Sequence, residues 1–217
     1  GLAADVLLME STYGDREHQP DDNGAALAEI IVDTAKRGGK LIIPAFAIGR
    51  VEELLYWVRR LEREKRIPTL PVFLDSPMAS EALAYYSARS AELDPDMRPT
   101  HREVSAFSTE RFQIVASPQQ SKELTASRKP SIVISSSGMA TGGRVLHHLA
   151  LNLPSHRNMV ILTGFQAQGT RGARLAAGEK TLRLHGQEVP VNAEVVQLHS
   201  ASAHADGNEL IHWLDRK

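Results

Sequence analysis

The sequence holds no cysteine, which excludes a disulfide framework and a thiolate zinc site and makes a reducing cytoplasm the easiest compartment to assume. No apolar run approaches the roughly 18 residues of a membrane-spanning helix, and the first residues lack the basic stretch of a signal peptide. A soluble, cytoplasmic protein without a membrane partner is the expectation. Also missing are a Gly-x-x-x-x-Gly-Lys-Ser/Thr loop and a Gly-x-Gly-x-x-Gly after the first apolar run, which weighs against a nucleotide-binding α/β enzyme. There is no initiator methionine, no internal repeat and no low-complexity tract. A chain that opens directly on an apolar run reads as a piece of a longer protein.

What is present suffices for a folded core. Of the 217 residues 42% are apolar, which excludes global disorder and suits one large domain with flanking segments. The net charge of -1 is unevenly spread: residues 1–127 carry 15 Lys and Arg against 20 Asp and Glu, residues 128–217 carry 10 against 6. The second part, with a surplus of +4, also holds the glycine-rich loops, and such local asymmetry can steer a phosphate backbone although the bulk charge cannot.

Short apolar runs alternate with amphipathic segments, the pattern of an α/β protein with a mostly parallel sheet flanked by helices. Strands are expected at 6–9, 40–44, 71–74, 112–116, 131–135, 159–163 and 194–198, with a hairpin around 181–191. Val51, Leu54, Leu55, Val58 and Leu61 recur at helical spacing, as do Leu27, Ile30, Ile31 and Thr34. Ser76-Pro77 reads as an N-cap with proline at the first helical position, opening a helix at 78–89. Asp206 and Glu209 have capping-box spacing before a last helix at 207–214. A further helix is expected at 145–151, and 93–105, rich in proline and charge, reads as a surface loop.

Four motifs can carry chemistry, and two more frame them. Glu10-Ser11-Thr12-Tyr13-Gly14-Asp15 follows the first apolar run, so Glu10 stands either as a catalytic carboxylate or as a cap of the following turn. Ser202-Ala203-His204-Ala205-Asp206 places a histidine in a polar loop that opens a helix. Ser135 to Arg144, including Ser137, Gly138, Met139, Gly142 and Gly143, leads from a strand into a helix, where free N–H groups can hold a phosphate or where glycine merely allows a tight turn. Gly164 to Leu175, with Gly169, Thr170 and Arg171, repeats that arrangement after the next strand. Pro44 to Arg50 and Asp75 to Ala79 read as framework, with Arg50 and Asp75 as neighbours of a site. The adjacent pairs His147-His148 and Tyr85-Tyr86 lie within expected helices, where neighbouring side chains diverge by about 100°, and read as structural.

Taken together, these motifs resemble the β-CASP branch of the metallo-β-lactamase superfamily over almost the whole chain. The resemblance implies a Rossmann-like β-CASP domain at 19–192, flanked at 1–18 and 193–217 by short strands and a helix of a metallo-β-lactamase domain. It implies a zinc-dependent ribonuclease of bacterial or archaeal type as the parent protein, with RNA as substrate and the metallo-β-lactamase domain of the same chain as partner; a homodimer stays open. Glu10 matches the acidic motif A and His204 the histidine of motif B, the two catalytic positions. The Ser137 to Arg144 and Gly169 to Arg171 segments, and Ser202, match nucleic-acid contacts, with Arg144 as the chief cation. In the family two zinc ions sit in a His-x-His-x-Asp-His loop with further His and Asp ligands. This sequence contains no such loop, so no metal residue is assigned in it, zinc is expected only in the full-length enzyme, and the fragment alone is expected to be inactive. The competing reading is a non-catalytic RNA-binding or assembly module.

Overall fold

The computed structural model describes residues 5–17, 22–93, 95–98, 105–198 and 204–215. The chain forms two compact units, 24–198 and a smaller one made of 1–23 with 199–217.

The large unit is built on a six-stranded sheet of order β3-β2-β4-β1-β5-β8, every pairing parallel. Its strands are β1 (Lys40–Ala45), β2 (Val72–Leu74), β3 (Phe112–Ile114), β4 (Ser131–Ser136), β5 (Met159–Thr163) and, after a separate antiparallel hairpin of β6 (Thr181–Leu184) and β7 (Gln187–Pro190), β8 (Glu194–Leu198). Helices α1 (Ala25–Lys36), α2 (Arg50–Arg63), α3 (Pro77–Ala88), α4 (Pro118–Ala126), α5 (Val145–Asn152) and α6 (Arg171–Ala176) connect them. The central strands β1, β4 and β5 are buried along nearly their whole length, Leu41 to Ile43, Ile132 to Ile134 and Val160 to Leu162 included. Unbroken apolar runs rather than alternation are what a parallel sheet covered on both faces requires. Helix α2 buries Val51, Leu54, Leu55, Val58 and Leu61, the stripe visible in the sequence.

The helix starts follow local chemistry. The Ser76 hydroxyl accepts from the Ala79 N–H at 3.2 Å with Pro77 behind it, so α3 begins where the sequence places it. Helix α4, which the strand and helix assignment above omits, carries a full capping box: the Ser117 hydroxyl accepts from the Gln120 N–H, and Gln120 accepts from the Ser117 N–H. Helix α6 likewise lies within what reads as a loop, opened by Thr170, whose hydroxyl accepts from the Ala173 N–H. The strand expected at 6–9 is not formed; those residues are irregular, and Val6 and Leu8 are exposed. An apolar run becomes a strand only where a neighbour takes its N–H and C=O groups. Strand β8, assigned above to the flanking segment, pairs with β5 from Met159↔Glu194 to Thr163↔Leu198.

The carboxyl end of β2 delivers a buried carboxylate into this frame. Asp75 receives the Ser121 hydroxyl of α4 at 2.5 Å, His148 Nε2 of α5 at 2.7 Å and Arg144 Nη1 at 2.8 Å, while its main-chain carbonyl accepts from Ser135. An ionised carboxylate only accepts, so Nε2 of His148 carries a hydrogen. Burial alone would raise the Asp75 pKa; the bonds from His148, Ser121 and Arg144 outweigh it and hold the group below the ordinary carboxylate value. A depressed native pKa adds stability that is present above the unfolded value, near 4, and is lost as pH falls through the native one. Asp75→Asn is therefore expected to cost about 3–5 kcal/mol at neutral pH, read from urea unfolding. That deficit should shrink below about pH 4; a deficit independent of pH would show that the ion pairing is not its origin.

Candidate functional site

The smaller unit brings two ends of the chain together. Tyr13 and Asp206 form an isolated parallel bridge, Gly207 N–H donates to the Arg16 carbonyl at 3.0 Å, and Asn208 donates to Glu17. Helix α7 (Gly207–Asp215) starts on the reciprocal pair anticipated from the sequence, Asp206 N–H to the Glu209 carboxylate and Glu209 N–H to that of Asp206, both at 2.9 Å. Gly207 has no room for a side chain, since a Cβ would lie 3.0 Å from the Gly14 carbonyl.

On this scaffold Glu10 and His204, 194 positions apart in sequence, meet. Glu10 Oε2 lies 3.2 Å from His204 Nδ1 and accepts the Thr12 N–H at 3.0 Å, while Oε1 accepts the Ala205 N–H at 2.9 Å. The Thr12 bond, then that of Ala205, then the imidazole hold the Glu10 pKa below its ordinary value against a small effect of desolvation. As an acceptor-only group, the ionised carboxylate requires the hydrogen on Nδ1 of His204. The Tyr13 ring stands edge-on to the imidazole at 5.8 Å, with the Arg16 guanidinium 5.0 Å from the centre of the Tyr13 ring. Both members of the pair remain about half exposed, so a ligand can reach them. Glu10 caps the turn at Thr12, as one of its sequence readings asks, and also bonds the histidine. Ser202 lies outside the described residues.

The glycine-rich loops lie at the carboxyl edge of the large sheet. They follow β4 and β5, two strands consecutive in sequence that β1 separates in the sheet. The loops nevertheless join: Gly172 N–H donates to the Met139 carbonyl, Gln166 to that of Gly138, and Arg171 to those of Ala140 and Thr141. Gly138 is buried under Phe46, whose ring would lie 3.2 Å from an added Cβ. Some expected phosphate donors are already committed. The Ser137 hydroxyl takes the N–H groups of Thr141 and Gly142, and the charge of Arg144 is offset by Asp75. Gly143 and Gly169 take positive φ, as their turns demand, and an added Cβ on Gly169 would meet nothing. A cavity of about 500 Å³ opens beside Gly169, Thr170 and Arg171, with Arg174 and Arg183 in its wall and no acidic residue. Arg174 is paired with Glu179, so Arg171, named by its motif, and Arg183, on the hairpin and not singled out by any motif, are the other cations there.

Among the described residues no group of three or more His, Asp or Glu gathers as a metal site. Glu10 and His204 alone do not fit zinc, which takes three or four protein ligands.

An α/β domain on a parallel sheet, carrying glycine-rich loops at its carboxyl edge, with a separate carboxylate–imidazole pair in the flanking unit, defines the class, and comparison supplies the family. The Beta-Casp domain matches residues 51–175, and the Zn-dependent metallo-hydrolase RNA specificity domain matches residues 188–216. The chain belongs to the Beta-Casp family. Among its relatives, Ribonuclease TTHA0252 of Thermus thermophilus is 37% identical over 97% of this chain and 49% of its own length. The RNase J-like protein of Methanocaldococcus jannaschii is 33% identical over 98% of this chain and 49% of its own. Transcription termination factor FttA of Pyrococcus abyssi is 33% identical over 97% and 34%. The chain thus spans about half the length of the first two and a third of the last.

The hydrogen position derived for His204 is open to measurement. Long-range ¹H–¹⁵N NMR should find the Nδ1–H form of the neutral ring, and Glu10→Ala should return it to the Nε2–H form that is usual in solution; an identical tautomer in both proteins would sever the proposed bond.

Proposed function

We propose that the protein to which this chain belongs hydrolyses RNA phosphodiester bonds, and that Glu10 and His204 are the two catalytic groups that this chain contributes. The observation that carries the reading is the Glu10 carboxylate, fixed by two backbone N–H groups and aimed at Nδ1 of an accessible histidine. With Nδ1–H turned to Glu10, Nε2 is the ring atom that would hydrogen-bond a scissile phosphate or, once protonated, deliver a proton to the leaving oxygen. Glu10 stabilises the imidazolium that either role calls for. The named ribonuclease among the relatives and the RNA specificity domain over 188–216 support RNA as substrate.

The loops at Ser137 to Gly143 and Gly169 to Arg171 would hold the RNA backbone, through main-chain N–H groups and the cations of the neighbouring cavity. Zinc belongs to the proposal through the description of the matched domain, with its ligands supplied by parts of the protein other than the described residues. The metallo-β-lactamase domain is the proposed partner that holds it.

In the full-length enzyme, His204→Ala is expected to lower kcat by about 10²–10⁴-fold with RNA affinity nearly unchanged, as for a group that acts in the transition state. A loss confined to affinity would make His204 a docking residue. The present chain by itself is expected to retain no stoichiometric zinc after dialysis and to cleave no RNA. Elemental analysis that found two tightly held ions per chain would overturn that expectation.

A further inference from the structure

The opposite, amino edge of the sheet holds a second basic cavity, of about 640 Å³, lined by Lys40, Arg128, His156 and Arg157 together with polar and apolar residues and without any acidic residue. Its floor is built rather than incidental. The Lys40 N–H donates to the Asn158 side-chain oxygen at 2.8 Å, and Asn158 in turn donates to the Asn152 carbonyl at 2.9 Å. Gly39 lets the 155–158 turn lie against the start of β1: an added Cβ would stand 1.8 Å from the Arg157 carbonyl.

Two helices, α4 and α5, end at this edge, and helix carboxyl ends repel anions. Here those ends are answered from within. The ammonium of Lys40 donates to the Leu124 carbonyl at 2.5 Å and to that of Thr125 at 3.4 Å. The Leu153 carbonyl accepts the N–H groups of Asn192 and Ala193, and the Pro154 carbonyl accepts from the Asn192 side chain. Arg128 and Arg157 are exposed and form no ion pair among the described residues. Burial pushes the Lys40 ammonium down to about 8, so the wall also contains a cation that a bound anion would re-stabilise.

We propose that this amino-edge cavity is a phosphate-binding site for the RNA backbone, distinct from the glycine-rich loops at the carboxyl edge, with Arg128 and Arg157 as its principal contacts. RNA as the carrier of the phosphate rests on the function proposed above. The guanidinium groups of Arg128 and Arg157 supply donors in the planar array that phosphate oxygens accept.

The test titrates fluorescent oligouridylate into the chain by anisotropy across a salt series, for the wild type, for Arg128→Gln with Arg157→Gln, and for Arg183→Gln at the opposite edge. Loss of two phosphate contacts from a single strand should lower the slope of log affinity against log salt by about 1.4 and weaken binding roughly ten-fold. The Arg128→Lys, Arg157→Lys protein should keep most of the slope. Titration with uridine 5′-monophosphate, followed through the Lys40 ε-methylene signals, separates the sources of the phosphate: shifts with the oligomer alone support a backbone site, whereas saturation by the mononucleotide at equal or lower concentration makes a free nucleotide the occupant and overturns RNA as the carrier. Binding that depends on Arg183 but not on Arg128 and Arg157 would overturn this inference and leave the RNA reading standing. Failure of the wild type to bind oligouridylate at all would overturn this inference, and with it the RNA contact of the carboxyl edge.

Discussion

The buried carboxylate of Asp75 is the interaction on which the arrangement of the large unit depends. A carboxylate withdrawn from water costs several kcal/mol unless its lone pairs are taken, and here the groups that take them come from α4, from α5 and from the turn that precedes α5. Satisfying one charge thereby locates three segments against β2. The next residue, Ser76, caps α3 and touches the Ser136 hydroxyl at the end of β4. The loop after β4, with its positive φ at Ser137 and Ala140, rests on this polar floor and on apolar contacts of Gly138 and Ala140. Polar floors fix direction as well as distance, which suits a surface that must present backbone groups in one geometry.

Glu10 is satisfied in a similar way but to a different end. It too accepts from an imidazole and from neighbouring donors, yet it and its histidine stay half exposed. The Asp75–His148 pair is fully buried, whereas the Glu10–His204 pair faces solvent. The two carboxylate–histidine pairs therefore differ in solvent access rather than in bonding. The bonds from the Thr12 and Ala205 N–H groups do most to hold the Glu10 pKa below its ordinary value.

Most strands were legible because unbroken apolar runs between turn residues have few alternatives, and the Beta-Casp family was legible through the motifs at their ends. The order of the strands was not. That β1 separates β4 from β5 depends on pairing between residues about 90 and 120 positions apart, for which local patterning carries no information. Asp75 and His148 are 73 residues apart, so each looks unremarkable where it stands. Helix α4 is a different case: Ser117, Pro118 and Gln120 spell a capping box in the sequence, and the signal was available. The 6–9 run failed for the opposite reason, since hydrophobicity without a hydrogen-bonding neighbour does not make a strand. Lys40, a polar residue at the start of an apolar run, gave no hint that its ammonium would be buried beneath the end of α4.

The surplus positive charge of residues 128–217 acquires a spatial meaning in the fold. It does not form one stripe. Arg128 and Arg157 gather at the amino edge of the sheet, whereas Arg171, Arg174 and Arg183 gather at the carboxyl edge, where Glu179 neutralises Arg174. In a parallel sheet the helices run antiparallel to the strands, so their positive ends face the carboxyl edge and their negative ends the amino edge. Anion binding is therefore favoured by the fold at the carboxyl edge alone. Cations at the amino edge must overcome the opposing dipoles, and in this chain the carbonyls that would oppose them are capped by Lys40, Asn158 and Asn192. A protein of net charge -1 can in this way offer a polyanion two cationic surfaces, because screening over a Debye length of about 10 Å makes each surface respond to its own neighbours rather than to the total.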